Sequence, residues 1–262
     1  MSAARREGPR GASKSRLAKS RLDCLLHARG LVKSREEARG LILSGVVTVA
    51  GTRRDKAGAW VDADAEIALQ ADPCPYVSRG GLKLAGGLSA FGIQPAGQVV
   101  LDVGVSTGGF TDCLLQQGVA RVYAVDVGYG QIAWRLRCDP RVVLLERQNI
   151  RTLPKEALPE AVDLIVIDVS FISLEKVIPC VTPYLKQDGQ IVALVKPQFE
   201  VGYGRVGAGG VVRDAAQHHE VLQRVRDRAE TWGLAVAGVA PSPILGKKGN
   251  KEFFVLFRAS DT

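Results

Sequence analysis

Long apolar runs are missing from this 262-residue sequence. Its longest apolar stretches, such as residues 162–169, are interrupted by aspartates and are far shorter than the roughly 20 residues that a membrane-spanning helix needs. The first residues are rich in Arg, Ser and Gly and lack the apolar region that a signal peptide carries. We therefore expect a soluble cytoplasmic protein that does not enter a membrane, and the 46% hydrophobic content predicts a sizeable core.

Cysteine and histidine are also scarce. The five cysteines form an odd set without paired metal-type spacing, so we expect reduced thiols rather than disulfides or a zinc site. The three histidines, His27, His218 and His219, lie in predicted helical segments without carboxylate or cysteine partners at ligand spacing. We expect all three at the surface, and we expect neither a metal nor a covalent nucleophile.

Positive charge is concentrated near the start of the chain. Residues 1–35 contain ten Lys and Arg but only two acidic residues, an excess equal to the net charge of +8. A localised basic segment favours a polyanionic partner such as nucleic acid. A solvated, disordered tail remains the alternative for residues 1–15, and we describe residues 1–19 as a basic flexible tail.

Residues 20–71 have the pattern of a small helical and β module. Leucines at helical spacing after Ser20 predict a first helix that ends at Gly30, and Ser34 with Glu37 has the spacing of a capping box for a second helix ending at Gly45. A short strand is expected at 46–49 and another strand pattern runs near 60–69. The proline-containing stretch at 72–77 is then expected to be a linker.

The segment RLDCLLHARGLVKSREEARGLILSGVVTVAG resembles the RNA-binding domain named after the fourth protein of the small ribosomal subunit. The resemblance implies RNA contacts at Arg21, Ser34, Arg35 and Arg39. Ala50 departs from the family pattern, which usually has asparagine before the turn glycine. A solvated helix face is the alternative role for Arg35 and Arg39.

Residues 78–262 alternate between predicted strands and helices. Strands are expected at 99–103, 122–127, 142–145, 164–167, 190–195, 234–239 and 253–257. Such alternation predicts an α/β fold with a mostly parallel sheet and helices on both faces. The last two strands are close in sequence and are expected to form an antiparallel pair at one edge.

A glycine-rich turn follows the first of these strands, in the stretch LDVGVSTGGFTD. Its spacing is neither the G-x-G-x-x-G of dinucleotide-binding proteins nor that of a phosphate loop, so NAD and ATP are disfavoured. Asp126, at the end of the next strand, is an acid that can accept hydrogen bonds from two ribose hydroxyls. Together with the antiparallel final pair, the turn and the acid favour S-adenosyl-L-methionine as the cofactor.

Eight ordered motifs, from YVSRGGLKL to GNKEFF, make the chain similar to the TlyA family, also labelled hemolysin A. This resemblance implies a ribosomal RNA 2′-O-methyltransferase whose substrate is ribosomal RNA or a ribosomal subunit. It also implies a Rossmann-like, FtsJ-like catalytic domain, and we expect no obligate protein partner. Val105 stands where the family commonly has alanine. The resemblance also implies a set of cofactor-binding residues: Asp102, Gly104, Ser106, Thr107, Gly108, Gly109, Asp126 and Asn149.

Four charged residues at predicted element edges match the Lys-Asp-Lys-Glu tetrad of FtsJ-like enzymes: Lys83, Asp168, Lys196 and Glu252. A ribose 2′-hydroxyl is a poor nucleophile, so the protein's tasks are alignment and proton removal. We expect Lys196 to accept the proton, with its pKa lowered by burial and by Lys83 as a cationic neighbour. Asp168 would orient it, and Glu252 and Lys83 would position the ribose. An ordinary strand-end ion pair is the alternative for Lys196 and Asp168.

Three functions remain open at this point: a cytidine-directed RNA ribose methyltransferase, a non-catalytic RNA-binding protein and a hemolysin. Loss of tetrad members would favour the second, and none is lost. Two glycine-containing segments also have open roles. Residues 201–214 form either a lid that orders around RNA or a flexible loop, and residues 246–251 form either a phosphate contact or a solvated turn.

Overall fold

The computed structural model describes residues 18–69, 74–202 and 204–260. Its contacts divide the chain into two compact units, with the boundary between Pro73 and Cys74. The predicted basic tail lies almost wholly outside the described residues, as does the beginning of the predicted linker. No helix of the described segments is long and apolar enough to cross a membrane.

Residues 18–69, the described part of the smaller unit, form two helices and five short strands. These are β1 (Lys19–Arg21), α1 (Leu22–Ala28), α2 (Arg35–Ser44), β2 (Val47–Val49), β3 (Thr52–Arg53), β4 (Trp60–Asp62) and β5 (Ile67–Leu69). β1 pairs with β4, and β2 lies between β3 and β5, all antiparallel. Leu22, Leu26 and Ile42 are completely buried between the helices and strands, which accounts for the leucine spacing of the sequence.

The ends of α2 follow from local chemistry. The Ser34 hydroxyl accepts a hydrogen bond from the Glu37 N–H at 3.1 Å, and Gly45 ends the helix in the left-handed conformation at φ +77°. Both predicted helix ends are confirmed. The Glu37 carboxylate, however, accepts from the Lys33 N–H rather than from the Ser34 N–H of a capping box. The strand pattern near 60–69 is divided into β4 and β5 by a turn in which the Ala65 N–H bonds the Asp62 carbonyl.

The larger unit is built on one seven-stranded sheet. Its strands are β6 (Val99–Val103), β7 (Arg121–Asp126), β8 (Val142–Glu146), β9 (Val162–Ile167), β10 (Leu185–Val195), β11 (Leu234–Pro241) and β12 (Phe253–Ala259). Their order is β11-β12-β10-β9-β6-β7-β8, and β12 runs antiparallel to both of its neighbours. The seven predicted strands and the antiparallel final pair are confirmed.

Helices cover both faces of this sheet. They are α3 (Arg79–Phe91), α4 (Gly109–Gln116), α5 (Trp134–Arg137), α6 (Ile178–Val181), α7 (Pro197–Glu200) and α8 (Ala215–Ala229). Side chains alternate along each strand, so Val100 packs on the α3 and α4 face whereas Leu101 packs on the α6 and α8 face. The predicted α/β class, with helices on both faces of a mostly parallel sheet, is therefore confirmed.

The surface position expected for His218 is wrong. Its side chain is buried in α8, with Nε2 3.0 Å from the Val212 carbonyl oxygen and the ring edge-on to Phe253 at 5.5 Å. A histidine in an amphipathic helix counts as polar in a sequence pattern, but here a backbone carbonyl satisfies it inside the protein. His27 and His219 are exposed, as predicted.

Candidate active site

The glycine turn after β6 brings two strand ends together. Gly104 has φ +89°, and a Cβ atom built on it would lie 2.6 Å from the Asp168 carbonyl oxygen. Only a residue without a side chain permits this approach of the backbone that follows β6 to the backbone that follows β9. Gly104 therefore shapes the edge of the sheet where Asp168 lies.

The next two glycines serve helix packing. A Cβ atom on Gly108 would lie 2.4 Å from a Leu136 methyl carbon of α5, and one on Gly109 would lie 2.9 Å from the Gly81 nitrogen of α3. These contacts let α4 begin immediately after the turn and pack closely on α3. Thr107, between this pair and Ser106, accepts a backbone hydrogen bond from Ala133.

A cleft of about 470 Å³ opens where β6, β7 and β9 end. Its volume lies in the range of small-molecule sites. The cleft is lined by four of the residues expected to bind a cofactor, Gly104, Ser106, Asp126 and Asn149, and by Asp168. The structure thus gathers these five residues around one concave space.

Asp126 organises the backbone of this cleft. Its two carboxylate oxygens accept hydrogen bonds from the Ser106 N–H and the Gly128 N–H, each at 2.7 Å. Ser106 is itself in the left-handed region at φ +51°. Because each carboxylate oxygen can accept more than one hydrogen bond, Asp126 keeps acceptor capacity toward a ligand.

Asp102 is a buried acid on β6 beside this site. Its side chain accepts a hydrogen bond from the Thr111 hydroxyl at 2.6 Å, while Oδ1 has no hydrogen-bond partner among the described residues. Burial raises the pKa of Asp102 to about 7, and the negative charges of Asp168 and Asp126 act in the same direction. The Thr111 hydroxyl opposes this shift.

Lys196 and Asp168 form an ion pair at adjacent strand ends. Lys196 Nζ lies 2.6 Å from Asp168 Oδ1 and donates a hydrogen bond to the Ser170 hydroxyl at 2.9 Å. The lysine side chain is only 9% exposed, so it is held close to its carboxylate partner with little access to water. Pro197 starts α7 directly after Lys196, which sets the exit of the chain from β10.

Lys83 and Glu252 form a second, more deeply buried ion pair. Lys83 Nζ donates to Glu252 Oε2 at 2.6 Å, and the two side chains are 12% and 2% exposed. Val195 pairs with Phe253 in the sheet, so Lys196 and Glu252 flank the same end of β10 and β12. The structure thus brings the tetrad to one edge as two ion pairs, with Lys83 bound to Glu252.

The smaller unit uses two of its expected RNA contacts internally. Arg21 and Arg35 both bind the buried Asp23 carboxylate, at 3.0 Å and 3.1 Å. These two arginines, Arg21 foremost, lower the pKa of Asp23 far below its usual range. Ser34 caps α2, whereas Arg39 is exposed on the same helix. Both Arg35 and Arg39 are exposed, but among the described residues only Arg35 forms an ion pair.

Two glycine-containing segments of the larger unit are joined by a buried side chain. The Asn250 amide accepts a hydrogen bond from the Val212 N–H at 3.0 Å and donates to the Gly210 carbonyl at 2.9 Å. Val212 is itself buried. The segments at 201–214 and 246–251 are thus connected close to Glu252.

The sequence alone assigns no role to Ser170, Phe171 or Glu200. Phe171 is 90% exposed and has φ +64°, an unusual conformation for an aromatic residue. The sequence feature that could have drawn attention to Phe171 is its position, three residues after the aspartate that ends a strand. Glu200 gave no signal, because its burial depends on contacts between distant segments.

The chain matches two protein-family models. Residues 76–259 match the FtsJ-like methyltransferase family, and residues 20–67 match the S4 domain. The first match covers most of the larger unit, and the second covers most of the described part of the smaller one.

Curated relatives and a solved structure match nearly the whole chain. It is 48% identical over 241 residues to the 16S/23S rRNA (cytidine-2′-O)-methyltransferase TlyA of Mycobacterium tuberculosis, covering 92% of this chain and 90% of the relative. It is 40% identical to hemolysin A of Brachyspira hyodysenteriae, covering 90% and 99% of the two chains. A solved structure from Streptococcus thermophilus that carries the hemolysin name is 41% identical, with a TM-score of 0.74, and covers 94% and 90%.

Proposed function

We propose, since this chain belongs to the FtsJ-like methyltransferase family, that it methylates the 2′-hydroxyl of a cytidine ribose in ribosomal RNA with S-adenosyl-L-methionine as the methyl donor. Support for the cytidine and for the RNA comes from the M. tuberculosis relative, whose name states both. The single observation that carries the proposal is the ion pair of Lys196 with Asp168, because Asp168 also lines the cleft that suits a small-molecule ligand.

The residues around the cleft fit this cofactor. Gly104 leaves open space where a side chain would crowd the backbone, and Asp126 offers carboxylate oxygens to ribose hydroxyls. Asp102 Oδ1 is a buried acceptor without a partner among the described residues, which suits a cationic amino group. We assign cofactor binding to Asp102, Gly104, Ser106, Thr107, Gly108, Gly109, Asp126 and Asn149, with Gly108 and Gly109 acting through the start of α4.

Bound in the cleft, S-adenosylmethionine supplies a methyl group already activated by its sulfonium. The chain's own residues have two tasks, which are to hold the ribose in line and to remove the proton of the 2′-hydroxyl. Lys196 Nζ accepts that proton once its amine is neutral. Asp168, 2.6 Å away, stabilises the ammonium that forms.

Lys83 and Glu252 hold the other side of the site. Their pair is nearly buried, and Glu252 lies next to the end of β10 that carries Lys196. A buried pair at this place gives a fixed arrangement of one donor and one acceptor that can position ribose hydroxyls. The ion pair adds to the sequence-based expectation the partner of Lys83, because both residues were expected to position the ribose.

The smaller unit supplies RNA affinity in this proposal. Arg39 is the best placed of the four residues expected to contact RNA, since Arg21 and Arg35 bind Asp23 and Ser34 caps α2. Phosphate contacts of this kind are independent of sequence and weaken as salt rises. The choice of nucleotide therefore belongs to the larger unit.

Methyl transfer to ribosomal RNA tests the proposal. Purified protein is incubated with ribosomal subunits and radiolabelled S-adenosylmethionine, and 2′-O-methylated positions are mapped by their resistance to alkaline cleavage. We expect label at a cytidine with wild-type protein and none with Lys196→Ala. Label on a base, or no label on either ribosomal subunit, would overturn the proposed function.

A further inference from the structure

One helical turn runs alongside the segment that carries Asp168. α7 begins directly after Lys196. Lys196 and two residues of α7, Phe199 and Glu200, contact residues 168–174, which we name the Asp168 segment. Lys196 binds Asp168 and Ser170, and the Phe199 ring lies 5.0 Å from the Phe171 ring. Glu200 then reaches Ser173 and Leu174. The contacts follow one another in the same direction along both segments.

Glu200 is a buried polar residue in this series, as is Lys196. Glu200 is 8% exposed, and its carboxylate accepts hydrogen bonds from the Ser173 hydroxyl at 2.7 Å and the Leu174 N–H at 2.9 Å. Burial raises the pKa of Glu200, while these two hydrogen bonds lower it. A carboxyl group in such a place is costly unless its oxygens are satisfied, as both are here.

The backbone of Glu200 is fixed separately. Its carbonyl oxygen accepts a hydrogen bond from Arg224 of α8 at 2.6 Å. This bond does not involve the carboxylate. α7 is therefore attached to α8 by a hydrogen bond that is independent of the Asp168 segment. The Glu200 carboxylate connects α7 in turn to Ser173 and Leu174.

The Asp168 segment needs such support. Phe171, in its middle, has φ +64°, a strained backbone conformation for an aromatic residue that persists only where its surroundings impose it. The segment is held at its start by Lys196 and at its end by Glu200. Without the Glu200 contacts at the end of the segment, Phe171 is free to relax. Asp168 and Ser170 lie shortly before Phe171 in the chain, so their positions depend on its conformation.

We infer that Glu200 is a positioning residue, which holds the Asp168 segment so that Asp168 and Ser170 keep Lys196 in its working orientation. The inference rests on the proposed function, because it concerns the lysine that removes the 2′-hydroxyl proton. The Glu200 carboxylate has no hydrogen bond or ion pair with Lys196 or Asp168 among the described residues, so it acts through the segment. Displacements of about 1 Å in such an arrangement cost on the order of a hundredfold in rate.

Substitutions at Glu200 separate positioning from simple stability. Glu200→Met keeps the length of the side chain and removes both acceptors, whereas Glu200→Gln keeps an acceptor for Leu174 and offers a donor to the Ser173 oxygen. We expect the single-turnover rate, at saturating cofactor and RNA and per folded protein, to fall about 10- to 100-fold in Glu200→Met. We expect Glu200→Gln to stay within about threefold of wild type, since two hydrogen bonds can still form.

Glu230→Met is the matched control, because Glu230 is exposed beyond the end of α8 and makes no contact with the Asp168 segment in the described structure. Should Glu200→Met fail to fold, Ser173→Ala removes one of the same hydrogen bonds from a half-buried side chain and is expected to lower the rate several-fold. A folded Glu200→Met with the rate of Glu230→Met would overturn the inference, whatever its thermal stability.

Amide hydrogen exchange of the Asp168 segment gives a readout that does not depend on activity. The Leu174 N–H is buried and bonded to Glu200, so its exchange is expected to be slow in wild type and at least tenfold faster in Glu200→Met. Wild-type protein that methylates no RNA would overturn the proposed function, and the exchange result would still decide whether Glu200 holds the segment. Unchanged exchange at Leu174 would contradict the inference independently.

Discussion

Lys196 Nζ lies 2.6 Å from Asp168 Oδ1, and the two residues directly follow β10 and β9, which are adjacent and parallel. A carboxylate at this distance orients the lysine amine and stabilises the ammonium that forms when the amine takes up the proton of the ribose hydroxyl. The pair therefore supports the product form of the proton transfer.

Removing the Lys196 amine is expected to abolish methyl transfer. Loss of a general base typically costs about a hundredfold to ten-thousandfold in rate. Lys196→Ala should show this loss in single-turnover measurements while cofactor and RNA affinities remain nearly unchanged. The wild-type rate should rise with pH until the amine is neutral, whereas a lysine that only holds phosphate would show no such rise. A variant that keeps more than about a tenth of the wild-type rate would contradict the general-base role.

Asp126→Ala is expected to weaken binding of S-adenosylmethionine by about 1 to 3 kcal/mol, the range for lost charge-assisted hydrogen bonds. The substitution also frees the Ser106 and Gly128 N–H groups that form part of the cleft. Titration calorimetry measures the effect. Asp139→Ala is a suitable control, because Asp139 binds Arg141 and does not line the cleft. Equal cofactor affinity in the two folded variants would remove Asp126 from the proposed pocket.

The strands and the meeting of the tetrad residues were predictable from the sequence. Buried strands have a strong local pattern, and the carboxyl ends of parallel strands meet at one edge, so Asp168 and Lys196 had to lie near one another. The sequence does not specify which member of the tetrad Lys83 contacts, because charge and proximity to the edge do not determine a partner. Its contact with Glu252 joins residues 169 positions apart and depends on the orientation of α3 on the sheet.

The same limit applies to the smaller unit and to the glycine turn. Asp23 is completely buried yet lies in a stretch of basic residues, so its pairing with Arg35 has no local signal. The need for glycine at position 109 likewise comes from α3, whose Gly81 nitrogen approaches it. Local sequence predicts helices, strands and their ends well. Contacts between side chains of different elements cannot be predicted without knowing how those elements pack.

Arg35 and Arg39 are expected to respond differently to removal, although they lie one turn apart on α2. Arg35→Ala takes one partner from the buried Asp23 and should lower stability by about 1 kcal/mol, with the Arg21 pair remaining. Arg39→Ala should leave thermal stability unchanged and reduce the slope of log affinity for RNA against log salt by about one. Thermal melting and salt-dependent RNA binding of both variants test this. Identical behaviour of the two variants in both assays would contradict the assignment of a structural role to Arg35 and an RNA-binding role to Arg39.

Asp102→Asn is expected to change how stability depends on pH. Burial raises the pKa of Asp102 in the folded protein to about 7, whereas an aspartate in the unfolded chain titrates near its ordinary value of about 4. Between these values the folded state binds the proton and the unfolded state does not, so the free energy of unfolding falls as pH rises. The loss is complete above about pH 7 and amounts to at most about 4 kcal/mol.

The neutral amide of Asp102→Asn resembles the protonated acid, and it keeps an oxygen for the Thr111 hydroxyl. The variant and the wild type should therefore have similar stability near pH 4, and the variant should become progressively more stable than wild type up to about pH 8. Urea unfolding without cofactor at several pH values measures the difference, in which the titrations of all other groups largely cancel. A difference that stays constant across this range would show that Asp102 is ionised in the folded protein already at pH 4, and the acid would then need a cation beside it.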